Sequence, residues 1–478
     1  MHGSLNLKTE QTVISQAMVL AAVVALALVQ LAAFWPGIIV WDSIVQYGQA
    51  LSGRFDDWHP PLMAWLWRQL QPIHSGPLTL LCLQVILYWG GIGMLALWAS
   101  RAGRRWLSVL IVMSGLLPLP FAQIGIIIKD SLMAGALLCA CGILALGQDR
   151  LKWWAGSVAI LLLLFAAAIR FNAFAACLPI LVALLPSSWT LGRARLGLAA
   201  GLGLIVLMAM LPLANRMLHA QRSGVEMSLL IYDIGGITEY SEEDAFPPIG
   251  YNDALTINDN CYSTASWDTY AWWTEQPCPL SFDKIRAYFR TSGENPYKFW
   301  LNTVEHYPAA YAEHRLMHFN TNMRFLVHWY DYEDVTPPVQ EQADTNPWNY
   351  KLSPNSLRSA IVRAALWSAD TPLGWPICWT ALSVGGLILA SRLPSRLIIV
   401  PIALSSVLYA LTYLPMSVAS EMRYHLWTMT AGLIVTVIVA ADLTHRPNLP
   451  WWRLSLAAAP FVIVTGLAVT WRMTGAPA

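Results

Sequence analysis

Apolar runs close to the roughly 20 residues that a helix needs to cross a bilayer recur along this chain, and one polar segment at 215–357 interrupts the series. The runs lie at about 15–36, 77–98, 106–126, 131–148, 153–169, 173–187, 196–214, 372–391, 397–414, 426–443 and 454–471, predicting about eleven transmembrane helices. Arg170 and Asn172 divide a stretch of ~35 residues that is too long for one crossing, which predicts a tight hairpin there. The composition agrees with such a fold. Asp, Glu, Lys and Arg make up 12% of 478 residues, about half the usual ~25%, while 56% are hydrophobic. A net charge of +1 gives no support to a nucleic-acid partner. The 24 Trp residues suit the level of the lipid headgroups, so much of the protein should lie at the interface.

Basic residues orient the spans. Lys8, then Arg101, Arg104 and Arg105, then Arg150 and Lys152, then Arg193 and Arg195, then Arg392 and Arg396, then Arg446 and Arg453 fall on alternate connections. Positive charge stays on the cytoplasmic side, so the N-terminus is expected inside. The first apolar run lacks a small-residue cleavage site before Trp35 and is expected to remain as a helix. This reading divides the chain into an N-terminal membrane region of seven spans (1–214), an extracytoplasmic domain (215–357) and a C-terminal membrane region of four spans (358–478).

The outer domain reads as mostly helical. Pro296 and Pro308 suit first turns, and Tyr311, Arg315, His318 and Asn322 recur on one helical face. An amphipathic piece from Ser353 to Ala369 is expected along the membrane surface. Five cysteines, Cys82, Cys139, Cys141, Cys177 and Cys378, lie in apolar spans and read as small core residues. Cys261 and Cys278 share the outer domain, where a disulfide would close a loop of ~18 residues and contribute ~3 kcal/mol; the alternative is two free thiols. No CxxC spacing suggests a structural zinc site.

The ionisable residues beside the apolar runs gather on the outer side. Asp42 and Asp56-Asp57-Trp58-His59-Pro60-Pro61 follow the first span, among Trp41, Trp65 and Trp67. Lys129-Asp130 follows the third span, Arg170-Phe171-Asn172 the fifth, and Glu421, Arg423, Tyr424 and His425 lie between the ninth and tenth. Each has an ordinary explanation: a solvated interfacial loop, mutual neutralisation of Lys129 and Asp130, snorkelling of Arg170, pairing of Arg423 with Glu421. Cations on three outer connections beside an acidic first loop favour one shared site. Lys129, Arg170 and Arg423 suit a lipid-linked phosphate, and Asp42 opposite them can take a proton from an attacking hydroxyl. Together they describe group transfer from a lipid phosphate carrier.

These residues carry a family resemblance. Pro36-Gly37 with Asp42-Ser43, His59-Pro60-Pro61, Lys129-Asp130 and Arg170-Phe171-Asn172 resemble the GT-C superfamily of integral membrane glycosyltransferases. That superfamily includes protein O-mannosyltransferases and the lipid A aminoarabinose transferase. The likeness is sharpest for a poorly characterised bacterial branch and covers mainly the first ~190 residues. The outer domain matches loosely, through Tyr307-Pro308 and Arg315 to His318.

The resemblance implies an all-α GT-C-like fold with its catalytic core in 1–214, and an inverting transferase that uses a polyprenyl-phosphate-linked sugar on the outer face. Asp42 would be the base, with Asp57 and His59 assisting. Lys129, Arg170 and Arg423 would bind the lipid phosphate, and Asp56, Asp130, Asn172, Arg315, His318 and Tyr424 would contact donor or acceptor. Ser43 stands where several members carry a second acid, which leaves the use of a divalent metal (Mg, Mn or Zn) open and turns attention to Asp56 or Asp57. The acceptor class implied is a cell-envelope glycan such as lipopolysaccharide, a lipid or a protein. A bacterial inner membrane is the expected location, with membrane lipids as surroundings. An O-antigen polymerase or ligase, or a transporter or flippase of polyprenyl-linked glycans, are the rival readings. The first would place its main cations in the large loop, and the second would carry ionisable groups deep in several spans and an inverted repeat.

Overall fold

The computed structural model describes residues 2–148, 152–190, 192–251, 253–273, 278–328, 337–343, 345–444 and 449–474; Arg150 and Arg446 of the basic connections lie outside them. Among the described residues the secondary structure is helical, with isolated bridges and no strand. Among the described residues seven helices are long and apolar enough to cross a membrane, and a pair bent by 60°, Arg105–Ser114 with Pro118–Ile124, passes the same test as one broken span. Three shorter apolar helices, Trp153–Ile169, Ala173–Leu184 and Pro376–Ala390, occupy other segments read as spans. The chain is a polytopic helical membrane protein.

In chain order the helices are α1 (His2–Phe34), α2 (Trp41–Ser52), α3 (Leu62–Leu70), α4 (Leu78–Arg101), α5 (Arg105–Ser114), α6 (Pro118–Ile124), α7 (Lys129–Leu146), α8 (Trp153–Ile169), α9 (Ala173–Leu184), α10 (Ser187–Thr190) and α11 (Arg193–Met217). Then come α12 (Glu226–Ser241), α13 (Ala254–Asp259), α14 (Phe282–Ser292), α15 (Pro296–His306) and α16 (Pro308–Asn322). The series closes with α17 (Ser356–Ala369), α18 (Pro376–Ala390), α19 (Arg396–Met416), α20 (Leu426–Leu443) and α21 (Trp451–Thr474). Two units are distinguished. The first comprises Met1–Gln221, Pro338–Ala410 and Arg423–Thr465, and the second Arg222–Pro337, Leu411–Met422 and Gly466–Ala478.

In the first unit α7 is the most enclosed candidate span, packed against α4 and α8. Small residues make this packing close. A Cβ added to Gly91 of α4 would lie 2.5 Å from the Leu138 backbone of α7, so glycine lets the two helices touch. On the side of the basic connections, Arg104 donates to Asp442 Oδ1 at 2.5 Å and to Ser395 Oγ at 2.9 Å. That Asp442 is fully buried, and this pairing satisfies its charge.

The link from α1 to α2 is tied to the link from α6 to α7. Ile38 N donates to Gly125 O at 3.1 Å, and Ile127 N donates back to Ile38 O at 2.9 Å. Gly37 has φ +120°, a left-handed conformation, and a Cβ there would meet Ile127 Cδ1 at 2.8 Å. Ser43 completes the tie, accepting from Val40 N at 3.1 Å and donating to Ile127 O at 2.5 Å. The result sets the N-terminus of α2 beside the N-terminus of α7.

Orientation is open to a direct check. Reporter fusions after Arg105, Lys152, Arg195 and Arg396 should report cytoplasm, and fusions at Gly53, Ser131 and within 222–346 the outside, because the basic connections alternate. A cytoplasmic signal from 222–346 would overturn the assignment of every outer-face residue.

Candidate functional site

Each charged residue of the first unit's cluster sits at a helix end. Asp42 lies in the first turn of α2, Lys129 and Asp130 open α7, Arg170 follows α8, and Arg423 and Tyr424 lie in a 3-10 turn before α20. Mid-helix positions in these spans face lipid or packed neighbours, so the ends are where ionisable groups can converge at least cost.

Asp42 is the hub. Its Oδ2 accepts from Arg423 Nη1 at 2.8 Å and from Lys129 Nζ at 3.4 Å, while its Oδ1 is 3.8 Å from His59 Nε2. The side chain keeps 19% of its surface exposed, against 7% for Arg423, 10% for Lys129 and 12% for His59. The acid is thus the most accessible member of the group. Lys129 Nζ also donates to His59 Nδ1 at 2.9 Å. An ammonium only donates, so Nδ1 accepts and the proton of the neutral ring is on Nε2, facing Asp42.

Lys129 and Asp130 do not neutralise one another. Adjacent helical residues point about 100° apart, so Lys129 turns to Asp42 and Asp130 to Arg170. Asp130 is fully buried and Arg170 nearly so. The Arg170 guanidinium also lies over the Tyr424 ring, 4.3 Å from its centroid, and Arg423 lies 5.6 Å from the same ring. The Tyr424 ring is thus shared by both guanidinium groups and links the Asp130–Arg170 pair to the Asp42 hub. Three cations against two carboxylates leave this group with one net positive charge. The first N–H groups of α2 and α7 add positive potential at the same place.

Burial raises the Asp42 carboxyl, but the Arg423 and Lys129 charges beside it prevail and hold it well below the usual carboxylate range. His59 is pushed down to about 3, first by burial and then by the Lys129 charge, against the pull of Asp42. At neutral pH its ring is uncharged, so the depression of Asp42 comes from the lysine and the arginine.

The remaining first-unit residues sit around the hub. Asp56 Oδ1 accepts from Trp58 N at 3.0 Å, and Asp57 N donates to Gln221 O at 3.0 Å, which fixes the loop leading to His59. Asn172 is buried at the start of α9. The donor set around Asp42 does not suit a divalent metal ion. The carboxylate is already flanked by an ammonium and a guanidinium, and Ser43 is engaged with the Ile127 carbonyl. Among the described residues no three His, Cys, Asp or Glu side chains are placed to share a metal ion.

Arg315 and His318 belong to a buried network in the second unit, on α16. Asp233 of α12, fully buried, pairs with Arg315, lies 3.3 Å from His314 Nε2 and accepts from Trp300 Nε1 at 2.8 Å. Tyr262 Oη is 2.8 Å from His314 Nδ1, and His318 Nδ1 donates to Thr264 O at 2.7 Å. Arg315 Nη1 reaches Ser417 O at 2.6 Å, and Asn322 Nδ2 reaches Ala419 O at 2.9 Å. A Cβ on Gly236 would lie 2.0 Å from His314 Nδ1, so glycine is what lets α12 approach α16. Cys261 and Cys278 of this unit are joined as a disulfide, with Cα atoms 5.7 Å apart. Asp233 and His314 were not singled out from the sequence. His314 precedes His318 by one turn, which is a usable signal, whereas Asp233 is distant in sequence and carries none.

Burial also pushes His318 down to about 3, helped by the Arg315 charge. The unfolded chain binds a proton at each such ring below pH 6.5 that the folded protein binds only near 3, so stability should fall as pH drops through that window. The slope is about 1.4 kcal/mol per pH unit for each ring. The apparent melting temperature should therefore decline from pH 6.5 to pH 4, and His318→Gln should flatten the decline. A melting temperature constant over that range would contradict the neutral assignment.

No family model and no curated protein matches the chain. Among solved structures it is similar to an archaeal oligosaccharyltransferase, AglB from Archaeoglobus fulgidus, in complex with an inhibitory peptide and a dolichol-phosphate. The TM-score is 0.37 and the identity 12%, over 96% of this chain and 56% of that one. The chain thus spans little more than half the length of that structure, and a likeness of this degree fixes neither fold nor activity.

Proposed function

We propose that the protein is a GT-C-type membrane glycosyltransferase that moves a sugar from a polyprenyl-phosphate donor to a cell-envelope acceptor on the outer face of a bacterial inner membrane. The observation that carries this reading is the pairing of one partly accessible carboxylate, Asp42, with both Lys129 and Arg423. Cations held on an acid at a helix junction can be transferred to an arriving phosphate, and the acid is then left free beside it.

In the reaction, an acceptor hydroxyl oxygen attacks the anomeric carbon as the bond from that carbon to the phosphate oxygen breaks. The leaving polyprenyl phosphate takes the bonding electrons and meets Lys129 and Arg423, with Arg170 beside Tyr424 adding to the local field. Asp42 receives the hydroxyl proton. Attack opposite the leaving group inverts the anomeric centre. His59, uncharged and with its Nε2 proton toward Asp42, orients the carboxylate. Arg and Lys take the place of a divalent ion because the donor already carries its phosphate leaving group.

Binding to the purified protein tests this reading. Farnesyl phosphate should bind and farnesol should bind far more weakly, and Lys129→Ala and Arg423→Ala should each weaken the phosphate ligand by ~10- to 100-fold. Equal affinity for the phosphate and the alcohol would remove the basis of the proposal. Mass spectrometry of envelope glycans from parent and deletion strains would then identify the sugar from the residue lost.

A further inference from the structure

Two buried polar side chains on α2 have no counterpart in the mechanism above. Gln46 is fully buried and Gln49 is 7% exposed, and neither the oxygen nor the nitrogen of either carboxamide has a hydrogen-bond partner. Buried carboxamides are ordinarily paired, because burial removes their bonds to water. Here both groups of both side chains depart from that rule within one turn of helix.

Their position is specific. Asp42, Gln46 and Gln49 stand at i, i+4 and i+7 on α2, the spacing that puts three side chains along one helical face. Along the axis the carboxamides lie about 6 Å and about 10 Å from the acid. The large exposed side chains of α2 are the apolar Trp41, Val45 and Leu51, whereas Gln46 and Gln49 are buried, so these glutamines are not the polar face of an amphipathic surface helix. They extend the hub's polar line into the protein.

We infer that Gln46 and Gln49 are specificity-determining residues that hydrogen-bond ring hydroxyls of a carbohydrate acceptor whose attacking hydroxyl lies at Asp42. This rests on the transferase reading and adds to it the chemical class of the acceptor. A carboxamide offers donor and acceptor atoms side by side, and neighbouring ring hydroxyls, each both donor and acceptor, match that pattern. A lipid chain would leave all four amide atoms without bonds. Both glutamines are covered, so the ring enters as their cover shifts, and the hydrogen bonds then formed favour that shift. A site built this way discriminates strongly against ligands that lack the matching hydroxyls.

The test uses the full chain in nanodiscs, with methyl glucoside, methyl galactoside, methyl mannoside and methyl arabinoside as probes in saturation-transfer NMR. At least one glycoside should bind the unaltered protein, and Gln46→Met and Gln49→Met should each weaken it by about 10-fold or more. Methionine keeps the length of the side chain and removes the amide, so both variants should melt at or above the parent temperature. Undiminished glycoside binding by both variants would overturn the inference, as would no glycoside binding by the parent. A lower melting temperature in both would also overturn it, since the amides would then serve the fold. Farnesyl phosphate, measured on the same samples, reads the cation cluster alone. Absence of glycoside binding in a parent that still binds the phosphate therefore counts against this inference only, and absence of phosphate binding in the parent counts against the transferase reading.

Discussion

Asp42→Asn is expected to lower transfer by ~100-fold or more while making the protein bind farnesyl phosphate more tightly, by up to ~10-fold. The two effects have one cause. Asn keeps the shape of the side chain and an oxygen for one cation, but it has no negative charge to hold Lys129 and Arg423 and no basicity to accept a proton. A phosphate then meets the cations without a competitor. Single-turnover transfer and equilibrium binding on the same preparation separate the outcomes. Near-normal transfer would mean that Asp42 is not the base, and weaker phosphate binding would mean that the carboxylate positions the cations more than it competes for them.

Arg170→Met should behave as a folding variant before it behaves as a catalytic one. The substitution leaves Asp130, fully buried, without its paired charge, which typically costs about 3–5 kcal/mol. That is a large part of a membrane domain's stability, so little monodisperse protein should be recovered in detergent. Arg170→Met with Asp130→Asn removes both charges and should restore recovery. If Arg170 also contributes its field to the phosphate, the double variant will fold and still transfer slowly. Full activity in it would confine the pair to a structural role.

The helices were legible because a spanning segment must be apolar over its whole length, so hydropathy alone locates α1, α4, α7, α11, α19, α20 and α21. Charged residues stood out against that background, which is why Asp42, Lys129, Arg170 and Arg423 could be picked without coordinates. Their partners could not. Lys129 and Asp130 are neighbours in sequence, yet helical geometry sends them to different residues, and no local pattern says that Arg170 rather than Lys129 meets Asp130. Ser43 looked like a missing second acid, whereas its hydroxyl accepts from Val40 N and ties α2 to the Ile127 carbonyl. Asp233 was invisible because its partners, His314, Arg315 and Trp300, lie more than 60 residues away. Gln46 and Gln49 fall at helical spacing from Asp42, but a glutamine in a polar helix attracts no notice until its burial is known.

The sharing of Asp42 between Lys129 and Arg423 gives the proposed reaction a direction in time. While both cations hold the carboxylate it is a poor base, so an acceptor that arrives first finds nothing to take its proton. A donor phosphate that draws the cations to itself releases the acid and creates the base beside the bond to be broken. After transfer the polyprenyl phosphate still occupies both cations, and the newly protonated Asp42 cannot draw them back until its proton has left. Turnover would then follow a donor-first order, with departure of the spent carrier linked to loss of a proton to the outer medium. A site with its base permanently uncovered would have no such order, and would leave the donor open to attack by water whenever the acceptor was scarce.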